Sequence, residues 1–75
     1  MQFKLGQMIK FKYYDKDYEI LLFEGIGMIL KSYRQYNAYD VMILKVTKKN
    51  RSWNRPIAKT MYFTEGSIEE LPVMI

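Results

Sequence analysis

Tyr39-Asp40-Val41-Met42-Ile43-Leu44-Lys45-Val46-Thr47 is the clearest strand in the chain, and its reading decides the fold. Tyr39, Val41 and Ile43 fall on one face at a period of two, with Met42, Leu44 and Val46 on the other. A strand apolar on both faces is either central and covered by its own chain, or covered by a partner. A one-residue slip exchanges the faces, so the pattern leaves open which of them points inward.

Turn chemistry brackets this stretch on both sides. Downstream, Lys48-Lys49-Asn50-Arg51-Ser52 is a polar turn, and Pro56 argues against a central strand, so pairing is expected over Ile57–Phe63. Upstream, Tyr33-Arg34-Gln35-Tyr36-Asn37 is a polar loop preceded by a strand at Met28–Ser32. Glu24-Gly25 reads as a turn or bulge after a buried strand at Tyr18–Phe23, and Gly27 as a place where a side chain would obstruct neighbouring backbone. A first strand is expected over Gln7–Tyr14, with Ile9, Phe11 and Tyr13 on one face, followed by a turn at Asp15-Lys16-Asp17. Ser67-Ile68-Glu69-Glu70 matches the capping-box pattern and predicts a single helical turn, which Pro72 stops before a last short strand at Val73–Ile75. Turn residues thus recur about every ten positions, alanine occurs only twice, and a small barrel or sandwich is expected.

Seventy-five residues make one domain, spanning residues 1–75. A chain of this size buries roughly 60% of its unfolded surface. With 49% hydrophobic and 16% aromatic residues the composition is that of a folded protein. Cysteine is absent, which removes disulfides and thiolate zinc sites and favours a reducing compartment. The opening MQFKLGQMIKF does not read as a signal peptide. The most apolar run, Ile20–Leu30, contains Glu24 and falls far short of the ~20 residues of a spanning helix, so a cytoplasmic protein without membrane contact is expected. Phe, Tyr, Met, Ile, Asn and Lys outnumber Gly, Ala, Arg and Pro, the bias of A/T-rich genomes such as those of many low-GC bacteria and their phages.

Several short motifs stand together in order: Gly6-Gln7-Met8-Ile9, then Gly25-Ile26-Gly27-Met28-Ile29-Leu30, the long strand at Tyr39–Thr47, and Ser67-Ile68-Glu69-Glu70-Leu71. The layout resembles the Src-homology-3-like small β-barrels, among them the KOW and Tudor-type domains. Gln7 stands where those domains often carry an acid, and no aromatic-cage position transfers to this sequence. The resemblance implies an all-β, five-stranded barrel with one short helical turn near the C-terminus. It also implies a binding role, often toward nucleic acid or the machinery of transcription and translation.

The residue inventory points away from catalysis. Histidine and cysteine are both absent, which removes the commonest general base, the commonest transition-metal ligand and the best nucleophile. Ser32, Ser52 and Ser67 have no signature around them, and the acids fall in turns. Asp15-Lys16-Asp17-Tyr18-Glu19 begins like a calcium loop, but its sixth and twelfth positions hold Ile20 and Ile26 where Gly and Glu are needed. Gly25 and Gly27 lack the lysine-serine and helix of a phosphate cradle. No enzyme activity, cofactor or metal is expected.

Charge placement is the most specific feature. Lys45, Lys48, Lys49, Arg51, Arg55 and Lys59 lie in a stretch with no acid, which carries +6 in a chain of net charge +4 and leaves −2 on the rest. Trp53 sits among them. A basic hairpin with one indole suits phosphate contacts and stacking on an unpaired base; the alternative is that Trp53 packs over the end of the barrel. The same field would steer an acidic protein surface. Met42, Leu44 and Val46, with Met28 and Leu30, form either core or a face that buries against another chain. Tyr33, Tyr36 and Tyr39 either line a groove or cover the sheet edge.

These features predict a non-catalytic module that binds nucleic acid, or the machinery around it, through the basic hairpin. The alternative is a small phage or bacterial accessory protein that works by protein–protein contact in the (host) cytoplasm. A self-assembling subunit joined through edge strands or the Met42/Leu44 face is the third reading.

Overall fold

The computed structural model describes residues 3–71, a single antiparallel sheet of five strands in the order β4-β3-β2-β1-β5. The strands are β1 (Met8–Tyr14), β2 (Leu21–Tyr33), β3 (Ala38–Lys49), β4 (Thr60–Thr64) and β5 (Ile68–Glu70). Two 3-10 turns, Arg34–Tyr36 and Glu65–Ser67, are the only helical elements among the described residues. None is long and apolar enough to cross a membrane.

Residues 18–32 differ most from expectation. The two strands expected at Tyr18–Phe23 and Met28–Ser32 are one thirteen-residue strand: of the turn or bulge expected at Glu24-Gly25 the ladder shows the bulge, with the extra residue, Thr47, on the facing strand β3. Gly25 and Gly27 point to the concave side, against the backbone of β3. A Cβ at Gly25 would overlap the Lys45 carbonyl, and one at Gly27 would lie 2.7 Å from the Met42 carbonyl oxygen. With no side chain at these two places, β2 coils tightly around β3. The turn at Asp15 is as expected: its Oδ1 accepts the Glu19 N–H at 2.9 Å.

The coiling brings distant strands together. In a flat sheet β1 and β4 would stand three strand spacings apart, about 14 Å. Yet the Phe11 and Phe63 ring centres are 5.1 Å apart. The interior so formed holds Phe3, Ile9, Phe11, Phe23, Ile29, Tyr39, Val41, Phe63 and Ile68, all buried. Tyr39 fits there because its hydroxyl oxygen accepts the Phe3 N–H at 3.2 Å.

Hydrogen bonding does not complete the barrel. Among the described residues no ladder joins β4 to β5, so the sheet is curled but has two free edges. The reason lies in the connection between them. Phe63 already turns inward at the end of β4, and the tight turn Glu65–Ser67 leads straight into β5, which pairs with β1 instead (Phe11 opposite Ile68).

Two smaller corrections follow from the ladders. Pairing of the fourth strand begins at Thr60 and not Ile57, since Ile57 packs against the core from the preceding loop. The helical turn expected at Ser67–Glu70 lies earlier, at Glu65–Ser67, because burial of Ile68 and its pairing with Phe11 hold residues 68–70 extended. Pro72 and the strand expected at Val73–Ile75 lie outside the described residues.

Candidate functional site

The face of β3 left ambiguous by its sequence is settled by register. Tyr39, Val41 and Ile43 point inward, and Met42 points outward opposite Met28. A bulge then intervenes at Leu44, so Val46 returns to the inside opposite Gly25 while Lys45 faces out opposite Ile26. The expected face of Met42, Leu44 and Val46 is therefore divided: Val46 belongs to the core, and Leu44 is 48% exposed at the bulge. An extra residue in a strand shifts the alternation by one, which a strict period of two does not foresee.

On the convex side, residues directly opposite on neighbouring strands share a face. One row reads Lys12, Glu24, Lys48 across β1, β2 and β3; the next reads Lys10, Ile26, Lys45. Four lysines thus stand with two glutamates, Glu24 among them and Glu69 of β5 opposite Lys10. Lys10 Nζ approaches Glu24 at 3.9 Å and Lys12 Nζ approaches Glu69 at 3.8 Å, pairs exposed enough to contribute about 0–1 kcal/mol. Among the described residues none of Lys45, Lys48, Lys49, Arg51, Arg55 and Lys59 takes part in an ion pair. Lys10 and Lys12 were missed by the sequence reading. The alternation of β1 could have supplied them, had β1 been placed beside β2 and β2 beside β3.

Beyond the lysines the same face changes character. The third row is Met8, Met28, Met42, flanked by the exposed Leu30 and Leu44. The convex surface is cationic at one end and methionine-rich at the other.

The loop after β3 is fixed by Asn50. Its N–H donates to the Leu22 carbonyl at 2.8 Å, its Oδ1 accepts the Ser52 N–H at 2.9 Å, and its carbonyl accepts the Trp53 N–H at 3.0 Å. This drives the indole inward. Trp53 packs 5.3 Å from the Phe23 ring and 6.0 Å from Tyr13, and the Arg55 guanidinium lies over it at 5.8 Å. The indole Nε1 is buried and has no hydrogen-bond partner among the described residues. Trp53 therefore packs over the end of the barrel-like interior with Arg55 upon it, and Arg51, Arg55 and Lys59 are exposed.

A groove of about 650 Å³ runs along the seam between β1 and β4 that hydrogen bonds do not close. Tyr13, Tyr14 and Tyr18 form one wall, Trp53, Arg55, Tyr62 and Phe63 the other, and Lys12 and Lys16 stand at its side. On the other flank of the same loop, Lys48 and Lys49 line a smaller depression of about 360 Å³ with Glu19 and Ile20. The basic residues of 45–59 are thus distributed between the convex face and both flanks of the loop.

The three tyrosines grouped by sequence do not meet. Tyr39 is core, Tyr36 is exposed, and the Tyr33 hydroxyl donates to Asp40 Oδ2 at 2.8 Å beside Tyr62. That hydrogen bond to the carboxylate, with some desolvation, holds the Tyr33 phenol above its ordinary pKa. No group of three or more His, Cys, Asp or Glu among the described residues is placed to hold a metal ion. No protein-family model matches the sequence, and neither the curated proteins nor the solved structures contain a match.

Proposed function

We propose that the chain is a non-catalytic nucleic-acid-binding module, and that its strand order and last tight turn are those of an Src-homology-3-like barrel left open along one seam. The observation that carries the binding reading is the register that sets Lys10 and Lys12 of β1 across from Lys45 and Lys48 of β3, four lysines against Glu24 between them and Glu69 of β5 beside Lys10. Glu24 and Glu69 offset Lys10 and Lys12, whereas Lys45 and Lys48 take part in no ion pair among the described residues and leave the face positive. A polyanion neutralises that charge and releases its own counterions. Lys12 also lines the seam groove, so the convex patch and the groove are continuous.

Affinity for a short single strand is therefore expected to fall steeply with salt. Replacing Lys45, Lys48 and Lys49 together with Gln should flatten the slope of log K against log salt by about 2, the loss of three phosphate contacts at roughly 0.7 each. All three side chains are exposed, so stability should change little. Fluorescence anisotropy at several salt concentrations measures the slope. A triple variant that binds with the parent's slope removes the proposal.

A second reading, contact with another protein, is favoured by the Met8, Met28, Met42 row. Methionines adapt to varied apolar partners, and a solvent-facing row of them contributes little to this fold. Leu44→Lys should leave thermal stability within about 0.5 kcal/mol and abolish any self-association seen by light scattering. Assembly that persists in that variant counts against the methionine face as the contact.

A further inference from the structure

The nucleic-acid reading leaves the stacking residue unassigned, because Trp53 is engaged by Phe23 at 5.3 Å and Arg55 at 5.8 Å. Tyr18 has the opposite properties. It is 68% exposed, and its backbone lies in the left-handed region at φ 57. That conformation suits Gly or Asn and is rare for a large aromatic residue. The turn enforces it: the Tyr18 N–H donates to the Asp15 carbonyl at 3.0 Å, and Asp15 Oδ1 binds the Glu19 N–H at 2.9 Å. A ring so exposed recovers little by burial, so folding favours a different residue at this place. The Tyr18 ring lies 6.1 Å from that of Tyr14, and both line the seam groove with Lys16, Arg55 and one acid, Asp15, whose Oδ1 accepts the Glu19 N–H.

Resting on the nucleic-acid reading above, we infer that Tyr18 is a stacking platform for an unpaired base, that Tyr14 supports it, and that the ligand of the seam groove is single-stranded. Bases within a duplex are already stacked on both faces and cannot enter a groove walled by rings. Lys16 and Arg55 at the groove then meet the phosphates on either side of the inserted base.

The test uses a fluorescein-labelled oligothymidylate and a duplex of the same length, with the Tyr18→Asn and Tyr18→Phe variants. Tyr18→Asn should weaken single-strand binding about 5- to 150-fold, the range for loss of one stacked base, with an unchanged salt slope. It should also raise Tm by a few degrees, since Asn tolerates the left-handed turn. Tyr18→Phe keeps the ring and should bind as the parent does. Single-strand binding that survives Tyr18→Asn, duplex binding as tight as single-strand binding, or a Tyr18→Asn Tm below the parent's each overturns the assignment of Tyr18. In all three cases the lysine-dependent salt slope is untouched and the broader reading stands. If neither form binds even at low salt, the broader reading falls as well.

Discussion

Phe11→Ala is expected to destabilise the fold by about 3–5 kcal/mol, the usual cost of truncating a fully buried phenylalanine. A domain of this length holds only about 4–11 kcal/mol in total, so the variant should be largely unfolded near body temperature. The effect is large because Phe11 is where the curled sheet meets itself. Its ring is buried, 5.1 Å from Phe63 of β4 and 6.1 Å from Phe23 of β2, and its backbone pairs with Ile68 of β5. Removing it opens a cavity lined by three other strands and loosens the contact that substitutes for the missing β4–β5 ladder. Urea denaturation followed by circular dichroism measures the loss. A variant within about 1 kcal/mol of the parent would show that β1 and β4 do not close on one another.

Gly25→Ala is the second large effect, and it acts through backbone instead of a cavity. The added methyl group would overlap the Lys45 carbonyl and lie 2.9 Å from the Val46 Cα, with no flexible side chain to move aside. Strands β2 and β3 must separate locally, at about 1–3 kcal/mol or more. Gly66→Ala serves as the internal comparison. A Cβ there meets nothing within 4 Å, so that change should be neutral or slightly stabilising, by about 0.4–1 kcal/mol. Equal midpoints for the two variants would refute the account of β2 curvature given above.

Both expectations rest on features that the sequence revealed unevenly. Alternation in Ile9, Phe11 and Tyr13 was enough to place the first strand and its buried face. The obstructing role of Gly27 was also legible, since an isolated glycine within an apolar run has few other uses. The irregularity at Glu24-Gly25 was legible as a turn or a bulge, whereas the bulge at Leu44 stayed hidden. The Leu44 bulge sends Val46 inward and Lys45 outward, and the Glu24-Gly25 bulge keeps two apparent strands as one. A bulge costs one unpaired residue, and no glycine near Leu44 marks this one. The capping-box pattern at Ser67 misled for a related reason: a local hydrogen-bonding preference lost to the burial of Ile68.

The site was legible to a similar degree. The lopsided charge of residues 45–59 was plain in the sequence. That Trp53 would turn inward was undecidable without knowing that Asn50 ties the loop to Leu22. Lys10 and Lys12 joined the patch only through cross-strand register, which is a property of three strands together. Tyr18 gave no signal at all, because the role proposed for it rests on a backbone angle.

Past its pairing with β4, which ends at Met42 opposite Thr60, strand β3 continues to Lys49 with one flank bare but for the Ile43–Lys59 bond among the described residues. An open strand flank is a template on which another copy of the same chain can add, and protruding ammonium groups are a common deterrent. Lys45, Lys48 and Lys49 sit along this flank, so the charges that would attract a ligand also keep copies apart. On the proposed function, a change to valine or isoleucine at these positions would forfeit affinity and invite fibrils in one step, whereas a change to glutamate would forfeit affinity alone.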